Sequence, residues 1–339
     1  MYLSDAILLL RSKETKERIG ATQWLARQSS IEAQDLLLKV LETRSGYEAS
    51  VAAEALGRLV EDDEALRRMV ARFLYLSVDG KKRDAGCHIR AHLAYGFGQR
   101  RFQGAVEALR IGIRTVQIEP VGGVPFDVGA HLRANCALAL AYMMAPDAVR
   151  DISLLLFEPN DLLQQKVGAR KSAAQALGLT CDAHALVPLT LKLAYSESEA
   201  PDVLQECMQS LVQLEDPRAV EILTPYLSHS DKALAASAAL MIARTGDPSA
   251  AETIYSAVEQ FSGEALEAVV LALASLRTEN ARATLLRLSD SWSVEVRLAL
   301  VSVLFGTYAE EEQTCLRRLA KSDSSASVRR AAQDVLALL

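Results

Sequence analysis

The 339-residue chain is half hydrophobic, only 5% aromatic, and carries a formal net charge of −6. Its 17 glycines and nine prolines are too few for a disordered or collagen-like chain, and its acidity disfavours wholesale binding to nucleic acid or anionic membrane, which needs a broad basic surface. Five scattered cysteines without a CxxC pair read as reduced core thiols rather than a disulfide framework.

Met1-Tyr2-Leu3-Ser4-Asp5 lacks a basic n-region, and Arg11 ends the short apolar run from Ala6 to Leu10. No stretch reaches the ~20 apolar residues of a membrane span. A cytoplasmic protein without membrane insertion is expected.

One phrase then recurs along the chain. An aliphatic residue, often followed by Arg, leads through small residues to a large apolar residue eight positions on: Ile89 to Phe97, Leu132 to Leu140, Val296 to Leu304, Val328 to Leu336. Taking that last residue as an anchor gives Leu25, Leu56, Phe97, Leu140, Leu177, Leu211, Ile242, Leu273, Leu304 and Leu336. From Leu211 to Leu304 the anchors recur every 31 residues without drift; between Phe97 and Leu140 the spacing stretches to 43. A fixed period of this size marks a repeat array.

Each unit reads as two helices. Asp216-Pro217 and Asp247-Pro248 mark first-helix starts, since Asp caps orphan N–H groups and Pro suits the first helical position. The predicted first helices run from Arg218 to Leu227, interrupted by Pro225, and from Ser249 to Phe261. Ser230-Asp231 opens a second helix to about Arg244, with Leu234, Ala238, Met241 and Ile242 on one face. Alanine pairs such as Ala173-Ala174, Ala238-Ala239 and Ala331-Ala332 let helices approach closely. One pair cannot cover its own apolar face, but stacking can. The predicted fold is all-α, an α-solenoid of about ten stacked helix pairs in one continuous array over residues 1–339.

Two repeats are long. Residues near 79–86 (Asp79-Gly80-Lys81-Lys82-Arg83-Asp84-Ala85-Gly86) and near 119–129 read as loops joining first helix to second helix in adjacent repeats. Both should emerge on one edge, where they could touch. Loops longer than their neighbours are where function tends to sit. From Asp79 to Arg114 eight basic residues face three acidic ones, a local +5 that leaves −11 for the remainder. The candidate partner-binding residues are Lys81, Lys82, Arg83, Arg100, Arg101, Val121, Val124 and Phe126. Phe126 has two possible fates, a plug in the solenoid core or an anchor for a partner.

This plan resembles the HEAT-repeat family in its short, phycobilisome-lyase-type form. The resemblance rests on Asp-Pro at 216–217 and 247–248, Val-Arg at 296–297 and 328–329, and Ala-Leu-Gly at 55–57 and 176–178. It implies a solenoid whose second helices line a concave face. It also implies a structural role for Arg18, Arg90, Arg133, Arg170, Arg297 and Arg329, hydrogen-bonding turn carboxylates of a neighbouring repeat. The pattern lapses at Ala49, Leu204, Ala235 and Leu266.

Catalytic signatures are sparse. His88 and His92 sit four apart, with His131, Cys87 and Cys136 in the same region, but HExxH and paired CxxC spacing are absent, so helix packing is expected and no metal or cofactor. Family hydroxylases hold iron with His-Glu dipeptides, and no histidine here precedes Glu. Family DNA glycosylases use a basic concave face with Trp, whereas Trp24 and Trp292 lie far apart. GxxxxGK[ST], GxSxG and GxGxxG are missing, and Gly96-Phe97-Gly98 reads as a helix-packing pair.

The expected function is a non-catalytic scaffold or adaptor. Its partner is another protein, with an acidic surface, bound by the concave face and the loops of repeats three and four. A lyase-like assembly factor acting on a cofactor-bearing protein, and a nucleic-acid-binding protein using residues 81–114, are the alternatives. Self-association through a C-terminal edge carrying Val335, Leu336, Leu338 and Leu339 is a further expectation, because a terminal repeat normally presents a polar outer face.

Overall fold

The computed structural model describes residues 1–159, 167–305 and 309–338. Two compact units emerge, Met1–Ser210 and Leu211–Leu339. In the first, helix pairs follow one another: Leu3–Leu9 with Thr15–Leu25, Ile31–Thr43 with Gly46–Leu59, Asp63–Val78 with His88–Arg100, Val106–Gly112 with Ala130–Tyr142, and Ala148–Leu156 with Val167–Leu179. Leu186–Ala194 comes next, and the helix Pro201–Gln213 begins in this unit. In the second, Ala219–Leu223 pairs with Lys232–Arg244, Ala250–Ala257 with Gly263–Ser275, Glu279–Arg287 with Val294–Val303, and Glu310–Ser322 with Ala326–Ala337. Within each unit the fold is that of an α-solenoid, with second helices packed on second helices.

Local chemistry sets the helix starts. Asp231 accepts hydrogen bonds from the N–H groups of Ala233 and Leu234, Asp62 from Ala65, and Ser30 from Ala33. The Asp-Pro positions act slightly differently from expectation. Asp216 and Asp247 accept from Arg218 and Ser249 N–H, making a turn that opens three residues before the helices begin at Ala219 and Ala250. The first of these helices yields at Leu223 to a 3₁₀ stretch, Thr224–Ser228, which holds Pro225.

The anchors from Leu25 to Leu304 are all at most 2% exposed. Burying each such side chain stabilises by about 1.5–3 kcal/mol. At the last repeat the pattern loosens. Val335 and Leu336 are half-buried, Leu338 is exposed, and Leu339 lies outside the described residues.

Small residues set the helix separation. A Cβ added to Gly96 would lie 2.5 Å from the Gly57 Cα, so these two second helices meet backbone to backbone. The long insertions depart from pure helix. Gly80–Arg83 forms one α-turn, and Ile118–Val121 pairs with Val124–Asp127 in an antiparallel hairpin.

Gly96→Ala is therefore expected to lower stability by about 1–3 kcal/mol, the usual cost of overpacking. Gly20→Ala, on an exposed helix position with nothing within 4 Å, should be neutral or gain about 0.5–1 kcal/mol. Urea midpoints of the two variants check this; equal effects would refute the backbone contact as a constraint.

Candidate functional site

The two insertions meet through buried polar groups. Asp84 caps the helix His88–Arg100, accepting from Ile89 N–H at 3.0 Å and Arg90 N–H at 3.1 Å. The chain reaches this cap through two successive left-handed residues, Gly86 (φ 76) and Cys87 (φ 59). Arg90, 1% exposed, donates from Nε to Asp84 at 2.9 Å and from Nη2 to Gln117 Oε1 at 2.7 Å. Gln117 Nε2 donates to the Asp84 carbonyl at 3.1 Å and to Glu119 at 2.5 Å. Glu119 in turn accepts the Gly86 N–H at 3.2 Å. Thus the hairpin base is tied to the preceding insertion.

Arg133 locks the hairpin's other side. It donates to Asp127 at 2.8 Å, to Glu158 at 3.0 Å and to the Thr115 carbonyl at 2.9 Å, with Arg133 and Asp127 each 1% exposed. Buried charges persist only when paired and hydrogen-bonded in this way.

Above this base the hairpin is bare. Its register pairs Ile118 with Asp127, Glu119 with Phe126, Pro120 with Pro125 and Val121 with Val124. Gly122 and Gly123 close it with φ values of 59° and 86°, the positive pair that a type I′ turn requires. Val121, Val124 and Phe126 are 53%, 51% and 38% exposed, so Phe126 plugs no core. The Val128 N–H donates to the Gln117 carbonyl, which fixes the alternation of hydrogen-bonded pairs. Pro120 and Pro125 fall at a non-hydrogen-bonded pair, where a backbone N–H would point outward and proline has none.

The basic residues divide into two groups. Lys81, Lys82 and Arg83 lie on the α-turn beside the hairpin base. Lys81 is exposed, Lys82 is 3.3 Å from Asp79, and the Arg83 guanidinium stacks 4.0 Å over the Tyr75 ring while donating to the Tyr75 carbonyl. Arg100 and Arg101 sit at the far end of a 13-residue helix, about 18 Å away at 1.5 Å per residue. There Arg100 pairs with Glu61, and both line a shallow groove. The turn carrying the first three adjoins the hairpin base, where Gly80 abuts Gln117 and the Gly86 N–H meets Glu119, whereas Arg100 and Arg101 lie at the other end of the helix. Arg110 and Arg114 share the single carboxylate of Asp151, and Arg100 pairs with Glu61, so the +5 of this stretch is only partly offset from outside it.

The remaining arginines tie turns together. Arg18 donates to Glu48 at 3.2 Å and to the carbonyls of Ser12 and Lys13 at 3.0 Å. Arg170 donates to Glu199 at 3.0 Å, and Arg297 grips both oxygens of Asp323 at 2.8 and 3.0 Å. Arg329 donates to the Asp323 and Ser324 carbonyls at 2.6 and 3.2 Å. Burial alone would raise the pKa of Asp323, but the bonds from Arg297 and the Ser325 N–H outweigh it and hold it below the ordinary carboxylate value. Glu199 is held low in the same way by Lys192, the Ala200 N–H and Arg170.

Two features here were not singled out in the sequence: Gln117, which links Arg90 to the hairpin base, and the Tyr75 ring, stacked by Arg72 and Arg83. In the second unit Trp292 stands 83% exposed. Among the described residues, no group of three or more His, Cys, Asp and Glu is placed to hold a metal ion. Burial pushes the Cys87 thiol up to about 12, and burial lowers His92 and His131. Among the described residues, no helix is long and apolar enough to cross a membrane.

No family model and no curated protein matches the chain. Solved structures do. Kap121p overlays with a TM-score of 0.60 at 13% identity, over 98% of this chain and 40% of Kap121p. Kap121p bound to Nup53p gives 0.51 at 13% identity, over 99% and 41%. The CpcE–CpcF complex of phycocyanin lyase from Nostoc sp. PCC7120 is 18% identical over 78% of this chain and 94% of that one, but its TM-score of 0.39 is too low to build on. The chain thus spans about two-fifths of Kap121p. The likeness establishes a HEAT-like repeat fold.

Because folded Asp323 has a lowered pKa, its contribution to stability is complete above the ordinary carboxylate range and is lost as pH falls through the lower folded value. Arg297→Met should therefore be clearly less stable than the wild type at pH 7, with the gap narrowing in strong acid. Denaturant titrations across pH test this; a gap independent of pH would refute the pairing as its source.

Proposed function

We propose that this protein is a non-catalytic interaction scaffold or adaptor that grips a partner protein with the hairpin Ile118–Asp127, the adjoining Lys81–Arg83 turn and the second-helix face beside them. One observation carries this reading: an apolar tip that is exposed, on a base that is buried and ion-paired. Exposed apolar side chains cost solubility unless something covers them. A base fixed by Arg90 and Arg133 means that little freedom is lost when the tip docks, which favours affinity. An apolar centre with charge at its margin is the usual anatomy of a binding site. The fold lends support, since Kap121p was solved bound to Nup53p and to Ste12p.

Phe126→Ala should leave the melting temperature nearly unchanged and weaken partner binding by about 2 kcal/mol or more. The partner is found by cross-linking and mass spectrometry from the native host, comparing wild type with Val121→Glu and Phe126→Ala. Proteins captured equally by all three would place binding elsewhere. A loss that tracks only a fall in melting temperature would make Phe126 structural.

A further inference from the structure

We infer that the partner element seated on the hairpin is a short acidic amphipathic helix, not an extended strand. This rests on the scaffold reading above and specifies what the hairpin recognises.

Strand addition needs outward-facing backbone N–H and C=O groups along a sheet edge. A two-stranded hairpin has two such edges, and here each carries a proline at its outward position nearest the tip. The only outward N–H groups left are those of Ile118 and Asp127 at the base, where Asp127 is 1% exposed beside Arg133. An incoming strand would thus find at most one donor per edge, at the end crowded by the stack. Prolines on an edge are a known barrier to strand pairing.

What the hairpin offers instead is side chains. Paired residues share a face, so Val121, Val124 and Phe126 lie together with Glu119. Glu119 turns to the Gly86 N–H and Gln117, leaving the three apolar groups as the exposed part of that face. Val124 and Phe126 are about 6–7 Å apart along the strand, and Val121 lies about 5 Å across. Those spacings match the 5–6 Å between residues three and four apart on a helix. One apolar stripe of a helix covers the patch.

Charge selects the sign of that helix. Neither hairpin carboxylate is available to a partner, Glu119 being held as above and Asp127 by Arg133. Lys81 and Lys82 project from the adjoining turn, exposed to solvent. Gly80 on that turn abuts the Gln117 side chain, placing both lysines beside the hairpin base. Opposite charge across a rim steers association and excludes the wrong sign.

The test uses the whole protein and a fluorescein-labelled designed peptide of about five helical turns, with leucines at i, i+3, i+4 and i+7 and glutamates on the flanks. Its comparators are a version with scrambled leucines, one with lysine for every glutamate, an alternating Thr/Val strand peptide, and vesicles of phosphatidylcholine with phosphatidylserine. Fluorescence anisotropy should show the acidic helix binding at least about tenfold tighter than its peptide comparators, and sedimentation should show no vesicle binding. Val121→Glu and Phe126→Ala should each weaken the helix about tenfold with an unchanged circular dichroism melt. Lys81→Glu with Lys82→Glu should weaken it more at low salt than at high salt. Pro120→Thr with Pro125→Thr, which restores the outward donors, should leave helix binding intact. Equal or tighter binding of the strand peptide or the vesicles overturns the inference. So does no binding of the acidic helix, or binding indifferent to Val121→Glu. If the helix fails while capture of a host protein still depends on the hairpin, the helix inference falls and the scaffold stands; if hairpin dependence is lost as well, both fall.

Discussion

The structure depends on the guanidinium held near the start of a second helix. A buried arginine cannot lose its proton and cannot be left unpaired, so it dictates what surrounds it. Its planar fork reaches two places at once. One branch goes back six residues to its own repeat's turn, to the carbonyls of Ser12 and Ser291 or the carboxylates of Asp84 and Asp127. The other goes forward to the next repeat's turn, to Glu48, Gln117, Glu158, Glu199 or Asp323. Apolar packing alone is indifferent to small sliding of one helix past another. A two-ended charged clamp is not, because a slip of an ångström strands a buried charge.

Lapses in this ladder shape what surrounds them. Asp84 stands in the turn after the repeat where Ala49 replaces the arginine. With no guanidinium arriving from that side, it turns to its own Arg90 and also caps that helix. Arg90 is then left to reach forward to neutral Gln117, and Asp127 is taken by Arg133. The two unusual insertions thus sit where the regular exchange of partners is displaced.

The repeating parts of the fold were readable from sequence because one period serves every level. Anchors, alanine pairs and caps all recur together, and Leu211, Ile242, Leu273 and Leu304 are buried as their spacing required. The hairpin was less legible for a physical reason. Two prolines in eight paired residues argue against strand, although Val-Gly-Gly-Val is a hairpin signature, and only the pairing register shows that both prolines fall at harmless positions. The distribution of the positive surplus was less legible for another reason. A count of residues ignores that Asp151, distant in sequence, pairs with both Arg110 and Arg114, and Glu61 with Arg100. Arg100 and Arg101 were close in sequence to Lys81 but a helix length away in space. A usable signal did exist, since Asp84 and Arg90, Asp127 and Arg133, and Asp323 and Arg329 share a spacing of six.

The exposure of the hairpin's apolar side chains has a consequence for how such a protein changes over time. Val121 and Val124 are about half exposed, while Arg90 and Arg133 beneath them are almost fully enclosed. Provided Gly122 and Gly123 keep their left-handed turn, side-chain changes at the tip are therefore nearly invisible to folding, and mutations at the base are nearly forbidden by it. Selection meets the two as separate traits. A lineage can rewrite what the tip recognises, by a few substitutions or a lengthened turn, without first accumulating spare stability. The inherited stack remains constant while its specificity drifts.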